Sequence, residues 1–297
     1  MSSCLAPRRV SFVEVSEAHS RASESKSFAS YLAFGAMFRI VQLSDLHCGQ
    51  QFFLPQHLER AIAEVNELEP DVVVISGDLT SNGFKDEYGL AREYLNRVEC
   101  DAMVVIPGNH DSRNVGYVHF EELFGDRNSV LNVGRTTIVA VDSSEPDLDN
   151  GQIGRGRYRW IEEQFTTAPA ELRVFVLHHH LLPVPGTGRE RNIVNDAGDT
   201  LECLQRAEVD LVLAGHKHVP YAWRLENLFV VNAGTVSSSR LRGNGRPCYN
   251  VVEVEGTHVD VWRRYPFHGQ ERIIQFSTDT KTYEKYTARI EDEVRSS

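Results

Sequence analysis

Short apolar runs, each closed by a polar or glycine-bearing turn, alternate along the chain with stretches in which apolar residues recur at helical spacing. Phe38-Arg39-Ile40-Val41-Gln42-Leu43 reads as a strand that ends at Ser44-Asp45. Pro55 opens a helix with Leu58, Ile62, Val65 and Leu68 on one face. Asp71-Val72-Val73-Val74-Ile75 is apolar without alternation, as in a strand covered on both faces. A helix over 84–98 uses Leu90, Tyr94, Leu95 and Val98, and Met103-Val104-Val105-Ile106 follows as a strand that Pro107 and Gly108 break. A short helix is expected around Phe120 and Leu123.

The second half repeats this rhythm. The pattern predicts a strand over 136–142, a helix around Trp160, Ile161 and Phe165, and a strand from Leu172 to Leu177. A long Pro/Gly loop, a helix over 197–207 and the strand Val209–Leu213 come next. Short strands are expected at 221–225, 228–232, 248–254 and 258–263, with Glu255-Gly256 as a hairpin turn. Two βα-rich halves that each end in strands predict an α/β fold with two packed mixed β-sheets flanked by helices, a four-layer α-β-β-α sandwich. That domain should occupy residues 37–268. Residues 1–36 hold nine serines and no sustained apolar period, so they read as a disordered extension, or as one preceding the true start at Met37. Residues 269–297 read as a charged tail with at most one helix, near 281–294.

Candidate chemistry collects where the apolar runs stop. Asp45-Leu46-His47, Gly77-Asp78, Asn109-His110-Asp111, His178-His179-His180 and Gly215-His216-Lys217-His218 each follow an apolar strand. Taken singly, each has a bland explanation: a satisfied loop pair, a turn, a helix cap or a surface histidine pair. All five together, in this order, describe a metal site at one edge of a sheet. On an extended segment, residues two apart point to the same side, so Asp45 and His47 could share an ion, and so could His216 and His218. Carboxylates with imidazoles suit first-row ions such as Fe, Mn, Zn or Co better than calcium. Asp78 could bridge two ions, and the neutral amide of Asn109 limits negative charge where an anion must bind. With one histidine of 178–180, the set serves two divalent ions about 3.5–4 Å apart, an arrangement suited to phosphoryl chemistry.

Charge and cysteine usage narrow the context. A formal net charge of −11 argues against nucleic acid or an anionic membrane as partner. Cys4, Cys48, Cys100, Cys203 and Cys248 are scattered and lack CxxC spacing, which fits a reducing, cytoplasmic setting. No apolar run approaches the roughly 18–20 residues of a membrane span.

Asp45-x-His47, Gly77-Asp78, Gly108-Asn109-His110-Asp111, His179 and Gly215-His216-x-His218 together resemble the calcineurin-like metallophosphoesterase superfamily, over roughly residues 38–268. Within it, the chain looks most like the branch of class III cyclic nucleotide phosphodiesterases and glycerophosphodiesterases. The resemblance implies that Asp45, His47, Asp78 and His218 hold one metal, and Asp78, Asn109, His179 and His216 the other. His110 would face the substrate phosphate rather than ligate. Relatives often carry proline directly after the histidine pair, whereas Leu181-Leu182-Pro183 follows here, so a register with His178 in place of His179 stays open.

The implied reaction is hydrolysis of a small-molecule phosphodiester by in-line attack of a metal-bound hydroxide. His110, oriented by Asp111, would stabilise the phosphoryl group or protonate the leaving oxygen. Asn109, His110, Arg189 and Arg191 are candidate substrate contacts. A phosphomonoesterase, nucleotide pyrophosphatase or nuclease on the same core is the alternative, and a non-catalytic scaffold a further one. A homo-oligomer is compatible with all of these.

Overall fold

The structure is a computed structural model that describes residues 37–49, 51–167, 170–187, 193–242 and 245–286. In chain order the first half comprises β1 (Phe38–Leu43), α1 (Pro55–Leu68), β2 (Val72–Ser76), α2 (Lys85–Leu95), β3 (Met103–Ile106), a 3-10 turn (Arg113–Val115) and α3 (Gly116–Phe124). The second half comprises β4 (Ser129–Val133), β5 (Thr136–Ala140), α4 (Arg155–Thr167), β6 (Leu172–Val176), α5 (Ala197–Arg206), β7 (Leu211–Ala214), β8 (Tyr221–Leu225) and β9 (Leu228–Asn232). β10 (Tyr249–Glu255), β11 (His258–Tyr265), β12 (Gly269–Ser277) and β13 (Tyr283–Lys285) close the chain.

Among the described residues, one sheet runs β13-β12-β11-β10-β1-β2-β3 and the other β4-β5-β6-β7-β9-β8. Both are mixed. β1, β2 and β3 are parallel, while β10 returns antiparallel to β1. In the second sheet β5, β6, β7 and β9 are parallel, and β4 and β8 are antiparallel edges.

Residue parity explains the layering. Ile40, Val72, Val74, Val104 and Ile106 of the first sheet meet Ile138, Val174, Val176, Leu211 and Leu213 of the second in one buried cluster. Their neighbours point outward: Val41, Val73, Ile75 and Val105 pack under Leu58, Ile62 and Val65 of α1, Tyr88 and Leu95 of α2 and Phe120 of α3. Val139, Phe175, Leu177 and Val212 do the same under Ile161 and Phe165 of α4 and Leu204 of α5. The outcome is the four-layer sandwich. Strands buried on both faces read as continuous apolar runs, as β2 does.

The tail departs from expectation. Residues 269–277 are a strand paired with β11, and 283–285 pair in turn with β12, so the domain extends past 268 and no helix occupies 281–286. The remainder of the expected 281–294 helix, and residues 1–36, lie outside the described residues. β4 was also not anticipated; it pairs with β5 at the sheet edge and is only half-buried. No helix among the described residues is long and apolar enough to cross a membrane.

Candidate metal centre

All five polar clusters leave the carboxyl ends of strands, after Leu43, Ser76, Ile106, Val176 and Ala214. Pairing between the first two strands continues into the loops, with Asp45 N donating to Gly77 O at 3.0 Å and His47 N to Asp78 O at 2.9 Å. Gly215 N donates to His178 O at 2.8 Å, which ties the two clusters of the second sheet together. The side chains do not converge by strand alternation, as the i, i+2 spacing suggested. Asp45, His47, Asp78, His216 and His218 have φ of 54, 50, 54, 78 and 56°, the left-handed region. Each such residue costs of order 1–3 kcal/mol, and this strain is stored where five candidate ligands sit. Close approach depends on Gly77 (φ +93°), where a Cβ would stand 2.5 Å from His178 Nδ1 and 2.9 Å from Gly108 N.

Two sets of donors result. Asp45, His47 and His218 form one: His47 Nε2 lies 2.8 Å from His218 Nε2, and His218 Nε2 lies 3.3 Å from Asp45 Oδ1. Asp78, His178 and His216 form the other, with Asn109 Oδ1 2.9 Å from His216 Nδ1 and 3.2 Å from His178 Nε2. Asp78 Oδ2 stands between them, 3.6 Å from His47 Nε2 and 3.3 Å from His178 Nε2. One nitrogen of His110 also lies within 4.8 Å of the ligand atoms of His47 and Asp78.

The donor chemistry fits cations. His178 Nδ1 is 2.8 Å from Ser76 O and His218 Nδ1 is 2.7 Å from Arg240 O. In each, Nδ1–H donates to the backbone carbonyl, which fixes the ring with Nε2 turned toward the carboxylates and the other imidazoles. His47 Nδ1 and His216 Nε2 are buried with no hydrogen-bond partner. Burial pushes the His47 pKa down to about 3 and that of His216 well below its ordinary value, so both are neutral imidazoles. Against burial, the Asp78 carboxylate lifts His178 to about 9 and the Asp45 carboxylate raises His218, so at these two positions the carboxylates favour a positive charge, carried by a proton or by a bound cation. Buried carboxylates and imidazoles facing one another across a few ångströms make a donor set that suits cations.

Asp45, His47, Asp78, Asn109, His216 and His218 are thus brought together where the sequence placed them. The expectation for the triple histidine needs correction: His178, not His179, reaches the Asp78–Asn109–His216 set. Leu172, Val174 and Val176 face the space between the sheets, and His178 continues that parity. His179 has the opposite parity, with Phe175 and Leu177; its Nδ1 lies 2.9 Å from Ser143 Oγ and its ring centroid 4.6 Å from that of His216. Asp111 also differs from expectation. It does not contact the His110 ring; its carboxylate accepts from Leu79 N, Thr80 N, Thr80 Oγ1 and Gly108 N, at 2.7–3.0 Å, and braces two loops. The His110 ring is instead held by Ser81 O, 2.6 Å from Nδ1. Arg189 and Arg191 lie outside the described residues. Two residues were missed. Arg113 Nη1 lies 3.2 Å from His110 Nδ1 and its Nη2 donates to Asp149 Oδ1 at 2.6 Å. The position of Arg113, three after His110 on one loop, was the only available signal; Asp149 had none.

Known proteins resemble this chain in sequence and in fold. The family model for calcineurin-like phosphoesterases matches residues 38–220. The probable glycerophosphodiester phosphodiesterase GpdQ of Arcobacter nitrofigilis is 30% identical over 154 residues, 47% of this chain and 56% of that protein's length. The 3',5'-cyclic adenosine monophosphate phosphodiesterase CpdA of Escherichia coli K12 is 26% identical over 208 residues, 64% of this chain and 69% of that protein. Among solved structures, purple acid phosphatase PPD1 from yellow lupin superposes with a TM-score of 0.65 at 16% identity, covering 80% of this chain and 52% of that one. That likeness concerns the fold. With a family match over most of the two-sheet core and the five strand-end clusters inside it, the chain belongs to the calcineurin-like phosphoesterase family.

Proposed function

We propose that this chain is a metal-dependent phosphodiesterase acting on a small molecule of cyclic-nucleotide or glycerophosphodiester type. The observation that carries the reading is Asp78 Oδ2, shared between His47 and His178 at 3.6 and 3.3 Å, which makes one carboxylate common to two donor sets. Asp45, His47, Asp78 and His218 would hold one ion, and Asp78, Asn109, His178 and His216 a second. Imidazole, carboxylate and a single amide suit Fe, Mn, Zn or Co. Such ions would acidify a water and neutralise phosphoryl charge.

The chain's own residues supply the rest. His110 Nδ1–H donates to Ser81 O, so Nε2 is the nitrogen left to carry the second proton, which can bond a phosphoryl oxygen and then pass to the leaving alkoxide, leaving the imidazole neutral. No side-chain nucleophile is needed, which favours direct in-line displacement. Substrates of this type agree with the names of the curated relatives GpdQ and CpdA. The four described cysteines are free thiols, in keeping with a cytoplasmic enzyme. The test is a hydrolysis panel on metal-loaded protein: a phosphomonoester, a generic phosphodiester, cyclic AMP and a glycerophosphodiester. Faster turnover of the monoester than of every diester would sink the reading and favour a phosphomonoesterase.

A further inference from the structure

We propose that Asp149 is a positioning residue for the metal centre: it fixes the Asn109 amide so that oxygen, not nitrogen, faces the cation site. The inference rests on the reading of Asn109 as a ligand given above. The two ends of an amide are nearly equal in shape, but only the oxygen can bind a cation. Asn109 is buried, with Oδ1 turned to His216 Nδ1 at 2.9 Å and His178 Nε2 at 3.2 Å, while Nδ2 donates to Asp149 Oδ1 at 3.3 Å. A carboxylate only accepts, so a flipped amide would set oxygen against oxygen.

Asp149 is itself pinned. Arg113 Nη2 donates to the same oxygen at 2.6 Å, and the loop carrying it is clasped onto the loop after β3. Asp147 N donates to Ser112 O at 3.4 Å and Asn114 N to Asp147 Oδ1 at 2.9 Å. The Arg113 and Asp149 side chains are 29% and 54% exposed, so as an ion pair they contribute little to stability. Loss of Asp149 should therefore be felt at the metal rather than in the fold.

The experiment titrates metal-free wild type, Asp149→Ala, Asn109→Ala and the double variant with Mn²⁺ by calorimetry, with thermal melts of each metal-free protein. Asp149→Ala should weaken one ion about 10- to 100-fold, the usual effect of removing a group that orients a ligand, without moving the metal-free melt. The double variant should bind no worse than Asn109→Ala, since Asp149 acts through that amide. Asp149→Asn keeps a side-chain oxygen for Nδ2 and should recover part of the affinity. The proposal is overturned if Asp149→Ala binds both ions like wild type, if its loss adds in full to that of Asn109→Ala, or if its metal-free melt falls in step with affinity. An Asn109→Ala protein that binds both ions normally overturns the ligand reading itself, and the proposal with it.

Discussion

Of the three consecutive histidines, His178 faces Asp78 and Asn109 while His179 is bonded to Ser143, and this sets the first expectation. His178→Ala should lose one ion, because that set would keep only Asp78, Asn109 and His216. His179→Ala should retain both ions and cost roughly 1–3 kcal/mol, for a buried imidazole bonded to Ser143. Metal titration with thermal melting separates the two, and the reverse pattern would restore the other register. His110→Ala should keep its metal content and lower turnover by roughly 10²–10⁴-fold; a lost ion would make His110 a ligand. The chemistry of these residues was legible because polar side chains after apolar runs stand out. The register was not, because Leu172, Val174 and Val176 are as apolar as Phe175 and Leu177, so no pattern told the inter-sheet face from the helix face.

At the scale of elements, α5 begins at a junction held by one carboxylate. Asp196 accepts from Ile153 N at 3.0 Å, Gly154 N at 2.7 Å and Tyr158 Oη at 2.6 Å, joining the starts of α4 and α5. Partial burial would raise its pKa, but the Tyr158 hydroxyl and the two backbone donors hold it below the usual value. A depressed carboxylate stabilises the fold above its unfolded pKa, about 3.9, and loses that contribution as pH falls through the folded value. Asp196→Asn should thus destabilise by about 1 kcal/mol at neutral pH, modest because the group is half-exposed, and the gap to wild type should close at an acidic pH below the folded pKa. Urea melts at both pH values check this. Helices and central strands were readable by period, but β12 was not. Val261 pairs with Ile274 and Trp262 with Arg272, so Ile273 is an extra residue at a bulge. Ile273 and Ile274 are both buried, which breaks the alternation by which a strand is recognised.

For the whole molecule, the strands after residue 268 belong to the domain. A chain ending at 268 would strip Ile273, Ile274 and Phe276 from the inter-sheet core. At about 1.5–3 kcal/mol per buried side chain, the loss rivals a typical stability of about 5–15 kcal/mol. That truncation should be aggregated or unfolded by circular dichroism and gel filtration, whereas one ending at 286 should fold. Ligands come from both sheets, so metal should also stabilise the assembled sandwich, by about 2.7 kcal/mol at a hundredfold excess over Kd. A chelator should lower the melting temperature, and re-added Mn²⁺ should restore it.

The place of β1 in its sheet bears on the order in which a ribosome delivers the parts. Its partner on one side, β2, is made almost at once, but the other, β10, lies more than two hundred residues further on. At roughly 5–20 residues per second, β1 waits on the order of 10–40 s with one edge unpaired. His218 also emerges before β10, so the nascent chain carries every candidate ligand before the sheet beneath half of them is complete. An edge of this kind is open to wrong pairing. During synthesis it is the interval before β10 docks, rather than the finished protein, that most needs a chaperone.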